Sequence, residues 1–357
     1  MKIKKTNVKA ALIVAVSAVA IFACSKQKVC NPTEDSNHAY DKSTINAREY
    51  SNCSFPVAMA CSGTMLEFPD QIAFEAAYDC LELKYEDYND QFESLYTSLS
   101  DSAYADLVDS IGFDEVAPLR DFETNNGFHS MRQELETKET AWLALGTFDP
   151  TTDPNNTDLD DDILNTLLSR EGDIKIGGII YHYLDDGTIY EISDGDCNTL
   201  NALKQDLKHP PANVTRIIFT IPRPKDPAPA ATDCIERWSI PGKEDPTSTS
   251  KYYWKLAFKN TINRSEPYAV IKNYKYKKRG SSSKWRKDAT KCTVFVDGNT
   301  NDFDSCIVKS AFSYNVKTKR RKKLRVKRML PVHSRIQQFD VKGQFSSYGS
   351  TINKVLW

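Results

Sequence analysis

The sequence predicts an α+β protein: an N-terminal helical domain with a β-hairpin, followed by an all-β, antiparallel, sandwich-like C-terminal domain. Three observations carry this expectation. Apolar residues recur at three- and four-residue steps between about residues 70 and 145, whereas beyond residue 251 they alternate with polar ones. Between these regions, from Pro210 to Pro246, lie eight of the chain's 16 prolines, which resist both helix and central strand. At 357 residues and 40% apolar, the chain is long enough for two cores and excludes collagen-like or wholly disordered classes.

Taken in order, Lys2, Lys4, Lys5 and Lys9 precede an uncharged stretch from Ala10 to Ala23. It is too short for a bilayer core of about 30 Å but suits a secretion signal, so residues 1–23 are read as a signal peptide. The ending Ile21-Phe22-Ala23-Cys24 resembles a bacterial lipobox, with Phe22 bulkier than usual. That resemblance implies a lipid on Cys24 and an anchor in the cell outer membrane, at its periplasmic face or the cell surface. Setting Cys24 aside leaves eight of nine cysteines, an even number that in an exported chain favours disulfides. Proximity points to Cys53 with Cys61 and Cys292 with Cys306. The absence of a Cys-x-x-Cys pair and the scatter of the five histidines argue against zinc.

Residues 24–65 lack periodicity and read as a cysteine-containing tether. From 66 to 209 the pattern predicts a helical domain with a hairpin. Ile72, Ala76, Cys80, Leu81, Tyr85, Tyr88, Phe92 and Leu95 share a helix face over about 70–97. A shorter helix follows at Ala103 to Ile111, and another carries Phe128, Met131, Leu135, Trp142 and Leu145. Asp158 to Asp162 then open a helix whose positive end they complement. Ile179 to Tyr183 and Thr188 to Ile192 flank Asp185-Asp186-Gly187, a hairpin signature. Asn198 to Leu207 reads as helix and Val214 to Ile221 as a strand. Residues 210–250 are a proline-rich linker holding that one strand, stiff enough to keep its two flanks from collapsing on each other.

Residues 251–357 form the basic β domain, in which Trp254, Leu256 and Phe258 alternate with polar residues, as do Val294 and Val296. A shift of 42 aligns Ala269, Asn273, Lys275, Lys277, Lys278 and Arg279 with Ala311, Asn315, Lys317, Lys319, Arg320 and Arg321, the pattern of an internal repeat.

Charge is the strongest functional signal. Residues 251–357 hold 26 Lys/Arg and 6 Asp/Glu, while residues 24–250 hold 17 and 42. Two cationic runs stand out, one through Lys275, Lys277, Lys278 and Arg279, the other through Lys317, Lys319, Arg320, Arg321, Lys322 and Lys323. Strand alternation sends part of each run to one face, where like charges repel and a polyanion would relieve them. The competing readings are an edge kept soluble by lysines, or a face that meets the acidic half or an acidic protein.

Catalytic signatures are missing: there is no His-Glu-x-x-His, no Gly-x-Ser-x-Gly, no phosphate loop and no dinucleotide fingerprint. His129 and Ser130 are sequence neighbours, which on a helix do not face each other, so helix capping and packing explain them better than a nucleophile. Asp153 to Asp160 has oxygen ligands at alternate positions but lacks the glycine and the bidentate glutamate of a calcium loop. It reads as a solvated loop with helix-capping aspartates, and Asp297 to Asp302 as a turn.

Leu66-Glu67-Phe68, Gly127-Phe128-His129-Ser130-Met131-Arg132, Leu164-Asn165 with Leu167-Leu168, and Gly172 to Tyr181 resemble a pattern in uncharacterised exported lipoproteins of Bacteroidota. The resemblance covers Leu66 to Tyr190 and implies no activity. Asp101-Ser102-Ala103 and Asp109-Ser110-Ile111 resemble bacterial O-glycosylation acceptors at Ser102 and Ser110, with helix caps as the alternative. Together these readings give a non-enzymatic cell-envelope lipoprotein, without cofactor, metal or an evident small-molecule substrate. Its partners are the membrane, through the lipid, and an anionic polymer (glycan, lipopolysaccharide or DNA). The alternative is a structural subunit of an outer-membrane assembly docking on an acidic protein.

Overall fold

The computed structural model of the chain describes residues 58–146, 149, 152–154, 157, 159–217, 237–261, 264–279, 282–302, 308–313, 317–327 and 336–356. The signal peptide, Cys24, Cys53, Cys306, most of the tether and residues 218–236 of the linker lie outside these residues.

The α+β class is as the sequence predicts. Six helices occupy the described N-terminal part: α1 (Gln71–Leu95), α2 (Asp101–Ile111), α3 (Ala117–Asn125), α4 (Met131–Ala144), α5 (Asp162–Leu167) and α6 (Cys197–Gln205). Asp70, Ser100, Ser130, Asp161 and Asp196 cap five of them, each side chain accepting from a backbone N–H of the first turn. Ser130 is thus a cap, and His129 beside it is exposed. Between Ile111 and Phe128 the sequence showed no periodicity, yet α3 forms there, started by Pro118 in its first turn.

The hairpin belongs to a six-stranded sheet: β1 (Ala58–Ala60), β2 (Met65–Phe68), β3 (Asp173–Ile176), β4 (Ile179–Tyr183), β5 (Ile189–Ile192) and β6 (Val214–Ile217), in that order. Residues 58–65 therefore leave the expected tether and enter the sheet. Gly177 and Gly178, at φ +60° and +84°, make the two-residue β3–β4 turn that only residues tolerant of positive φ accept readily. One sheet face packs Leu66, Phe68, Ile174 and Ile176 against Ala77, Tyr78 and Leu81 of α1. The other packs Ile180, Tyr190 and Ile192 against Leu200 and Leu203 of α6.

Ten strands follow among the described residues: β7 (Arg237–Thr247), β8 (Ser250–Thr261), β9 (Arg264–Arg279), β10 (Ser282–Lys287), β11 (Lys291–Asp302), β12 (Val308–Ser313), β13 (Lys317–Arg320), β14 (Lys323–Lys327), β15 (Ile336–Ser347) and β16 (Ser350–Leu356). One five-stranded sheet runs β10-β9-β8-β7 with β14 also on β9, and the other runs β12-β11-β15-β16 with β13 also on β11. They face each other through Trp254 and Phe345, whose ring centroids lie 5.4 Å apart, as in a sandwich. The repeat has a counterpart in the pairing, since β9 lies along β8 as β12 and β13 together lie along β11.

Several expectations need correction. Residues 210–250 hold β7 as well as β6, with Pro241 and Pro246 inside β7, because among the described residues β7 ends its sheet and has a strand partner on one side only. Residues 297–302 lie within β11, with 297–301 paired on both sides and Asp302 on one, and are not a turn. Neither proximity disulfide forms as expected. Cys61 bonds Cys197 across 136 residues, clamping the start of α6 to the turn between β1 and β2, while Cys292 is a buried free thiol. Cys80 is disulfide-bonded too. With Cys292 unbridged, an even cysteine count no longer argues for Cys24 as the odd one out.

Candidate functional site

On β8, alternation places Trp254 and Leu256 toward the second sheet. Tyr253 and Lys255 turn the opposite way, yet both are buried. What covers them is the helical half: Trp142 and Leu143 of α4 pack on Tyr253, Tyr274 and Trp285, and Lys255 Nζ donates to the carbonyl of Thr157 at 2.9 Å. The acidic and basic halves are therefore in direct contact, contrary to the expectation that the linker holds them apart. Their opposite charges supply the reason.

The contact is a row of ion pairs. Lys317 reaches Glu86 of α1 at 2.9 Å and Lys319 reaches Asp90 at 2.7 Å. Arg320 bonds Asp101 at 3.1 Å and donates to the carbonyls of Tyr96 and Leu99 just beyond α1, where a cation complements the helix dipole. Arg321, with a side chain 2% exposed, pairs with Asp90 at 2.6 Å and Glu93 at 3.3 Å. Lys322 donates its backbone N–H to Glu115 and its Nζ to the carbonyl of Phe113. Lys323 lies 2.6 Å from Asp160 and 2.9 Å from Asp162, and Arg325 lies 2.7 Å from Asp161.

Deeper still, Lys272 is completely buried, 3.6 Å from Asp153 and 3.7 Å from Asp160. Burial by itself would raise the Asp160 pKa, but Lys272, Lys323 and Lys255 outweigh it and hold the carboxyl well below the usual range. Lys323 shows the mirror case: burial would lower it, and Asp160 with Asp162 raises it. Glu115 goes the other way. Its burial outweighs Lys322 and Arg321, so its pKa is raised.

The described aspartates between 153 and 160 are therefore not on a solvated loop. Asp153, Asp160 and Asp161 are all buried and serve the basic sheet, although Asp161 also caps α5 as the composition suggested. Among the described residues no three His, Cys, Asp or Glu side chains group as metal ligands.

Of the ten cationic residues singled out in the sequence, Lys317, Lys319, Arg320, Arg321, Lys322 and Lys323 thus have intramolecular partners. Lys277 joins them through Asp109 at 2.7 Å and Asp288 at 2.6 Å. Lys275 has no hydrogen bond or ion pair among the described residues, and the Lys278 and Arg279 side chains lie outside them. Ser102 and Ser110 are exposed on α2 and neither caps it, because Ser100 does.

A buried Ser169, Asp173 and His182 also come together. Asp173 accepts from Ser169 Oγ at 2.9 Å and pairs with His182 Nδ1 at 2.7 Å, with Lys204 at 2.6 Å. The serine bonds the carboxylate and not the imidazole, so this is not the order of a nucleophilic triad. It fixes the turn into β3.

A cleft of about 340 Å³ opens where edge strand β10 meets α4 and the turn after α2, walled by Val116, Glu139, Leu143, Lys284, Trp285 and Arg286 among others. Register places Lys284 opposite Lys277 and Arg286 opposite Lys275. Lys287, next on β10, is held by Glu139 Oε2 at 2.5 Å. Lys284 and Arg286 have no partner among the described residues, and Arg286 Nε is buried without one. Glu139 Oε1 is likewise buried and unbonded.

No family model matches the chain, and no curated protein matches it. A solved structure of a DUF4848 family protein from Bacteroides thetaiotaomicron is similar at 12% identity, over 84% of this chain and 99% of that one, with a TM-score of 0.20. Among the described residues no helix is long and apolar enough to cross a membrane.

Proposed function

We propose that the chain is a non-enzymatic cell-envelope lipoprotein, held at the outer membrane by a lipid on Cys24, that binds an anionic partner at the β9–β10 hairpin. The observation that carries this reading is the distribution of partners. The acidic half contacts the 317–323 row and Lys277, but among the described residues Lys275, Lys284 and Arg286 have no charge partner. Lys275 stands directly opposite Arg286, an arrangement that costs stability unless an anion bridges it. The lipobox-like ending supports the anchor, and the wrong order of Ser169, Asp173 and His182 supports a binding role. The test uses the full-length protein with lipopolysaccharide, an acidic glycan and DNA at increasing salt. Affinity for at least one should fall steeply with salt and drop in Lys275→Gln. Binding that ignores both salt and Lys275 would refute the reading. So would saturable capture by one acidic protein with no polymer binding. For the anchor, Cys24→Ser protein should leave the membrane fraction, because a lipid chain supplies roughly 0.8 kcal/mol per buried methylene; continued sedimentation in high salt would refute it.

A further inference from the structure

We infer that the cleft between β10 and α4 is a binding site for a singly charged, hydroxyl-bearing carboxylate, of which a hexuronic acid is the fitting chemical class. This rests on the anionic-partner reading and names its ligand. Three features converge. First, Lys284 and Arg286 both line the cleft and neither has a protein partner among the described residues, with Arg286 Nε buried and unbonded. A guanidinium left without an acceptor costs free energy that a carboxylate, matching its planar fork, would recover.

Second, Glu139 also lines the cleft, is 3% exposed, and keeps Oε1 unbonded while Oε2 holds Lys287. A buried carboxylate oxygen calls for a donor, and a sugar hydroxyl supplies one beside the anionic group. Third, Trp285, Val116 and Leu143 give the cleft an apolar wall, and its volume of about 340 Å³ suits one or two sugar rings.

The remaining charges set the selectivity. Asp109, Asp114, Glu115, Glu136 and Asp162 also face the cleft. Asp109 is paired with Lys277, Asp114 and Glu136 with Arg120, and Asp162 with Lys323, while Glu115 accepts the Lys322 N–H. Lys322 and Lys323 line the cleft too, so six carboxylates face five cations, and this small negative balance penalises a dianion more than a monoanion, disfavouring a phosphorylated sugar against a monoanionic carboxylate.

Calorimetry on the full-length protein decides this with four probes: methyl glucuronide, a disaccharide of one uronate and one neutral sugar as the polymer-derived source, neutral methyl glucoside, and glucose 6-phosphate. The first two should bind, and the last two at least about tenfold more weakly. Arg286→Ala should weaken glucuronide binding at least about tenfold, while Lys291→Ala, on an exposed residue outside the cleft, should leave it unchanged. Arg286→Lys, which keeps charge but loses the fork, should fall between and serves as the check if Arg286→Ala does not fold. Equal binding of the neutral sugar, preference for the phosphate, no glucuronide binding up to about 10 mM, or indifference to both Arg286 variants would overturn the inference. Salt-dependent binding of a sulfated polymer or DNA without glucuronide binding would reject the ligand class and leave the anionic-partner reading standing. Binding of none would reject both.

Discussion

Replacing Lys272 by Met tests whether the two halves are held together by buried charge. The substitution keeps an unbranched apolar stem and removes only the ammonium, which sits 3.6 Å from Asp153 and 3.7 Å from Asp160 with all three side chains at 0–1% exposure. Removing one member of a buried ion pair costs about 3–5 kcal/mol, because the abandoned charges stay desolvated. Lys323 still lies 2.6 Å from Asp160, and Asp153 still accepts from the Tyr274 hydroxyl at 2.8 Å, so the lower figure is the better estimate. With an unfolding entropy of about 2.1 cal/mol/K per residue, about 3 kcal/mol lowers the Tm of a 357-residue chain by roughly 4 °C. Urea unfolding should show the same loss, and adding Asp160→Asn should cost less than the two single effects combined, with a coupling of about 1 kcal/mol or more. Lys291→Met, on an exposed strand position, should stay within about 0.5 kcal/mol of the parent. If Lys272→Met is equally silent, the lysine is not buried among carboxylates and the account of the interface is wrong.

Further outcomes follow from the same network. Replacing Lys319, Arg320, Arg321, Lys322 and Lys323 together by Gln should lower Tm by at least about 10 °C in differential scanning calorimetry, since Arg321 and Lys323 are buried pairs; a small change would mean the row is solvated. The Cys61→Ala, Cys197→Ala variant opens a loop of 136 residues and should lose up to about 5 kcal/mol by chain entropy, read by urea unfolding against the oxidised, disulfide-intact parent. Asp160 and Asp173 have depressed folded-state pKa values, so their stabilisation is complete above the unfolded carboxylate value of about 4 and is lost as pH falls below it; Asp160→Asn should flatten that acid limb. Glu115 is raised, so its contribution is present at low pH and lost as pH rises through the folded value. Glu115→Gln should therefore cost less at pH 7 than Asp160→Asn.

How much of this was legible depended on whether a residue's role is local. The aspartates that open the helix at Asp162, the β4–β5 turn and the alternation of Trp254 with Leu256 are written within a few residues of themselves, and they appear in the structure where the sequence places them, whereas Ser102 and Ser110 are not caps. The α3 helix was not legible, because its buried residues Leu119 and Glu123 give too few apolar positions to set a period, and Glu123 is satisfied by Arg132 from α4. Cysteine pairing failed for the same reason, since nearness in sequence says little when β1 and α6 meet across a sheet. Most instructive is the basic run. Strand alternation implied crowded cations in need of an anion, but it could not name the anion: Lys317 finds Glu86 across 231 residues, a distance no local pattern reports. The cleft was hidden likewise, because nothing local ties Glu139 on α4 to Lys287 on β10, 148 residues later.

Zero-length carbodiimide coupling of the native full-length protein, followed by peptide mass spectrometry, tests most directly that the basic row belongs to the acidic half. Amide bonds should form between Lys317 and Glu86, between Lys319 and Asp90, and between Lys287 and Glu139, pairs 2.9, 2.7 and 2.5 Å apart, at yields independent of protein concentration. Were these pairs absent, with Lys317, Lys319 and Lys287 labelled by an amine reagent as readily as exposed Lys291, the two charged halves would not be partners.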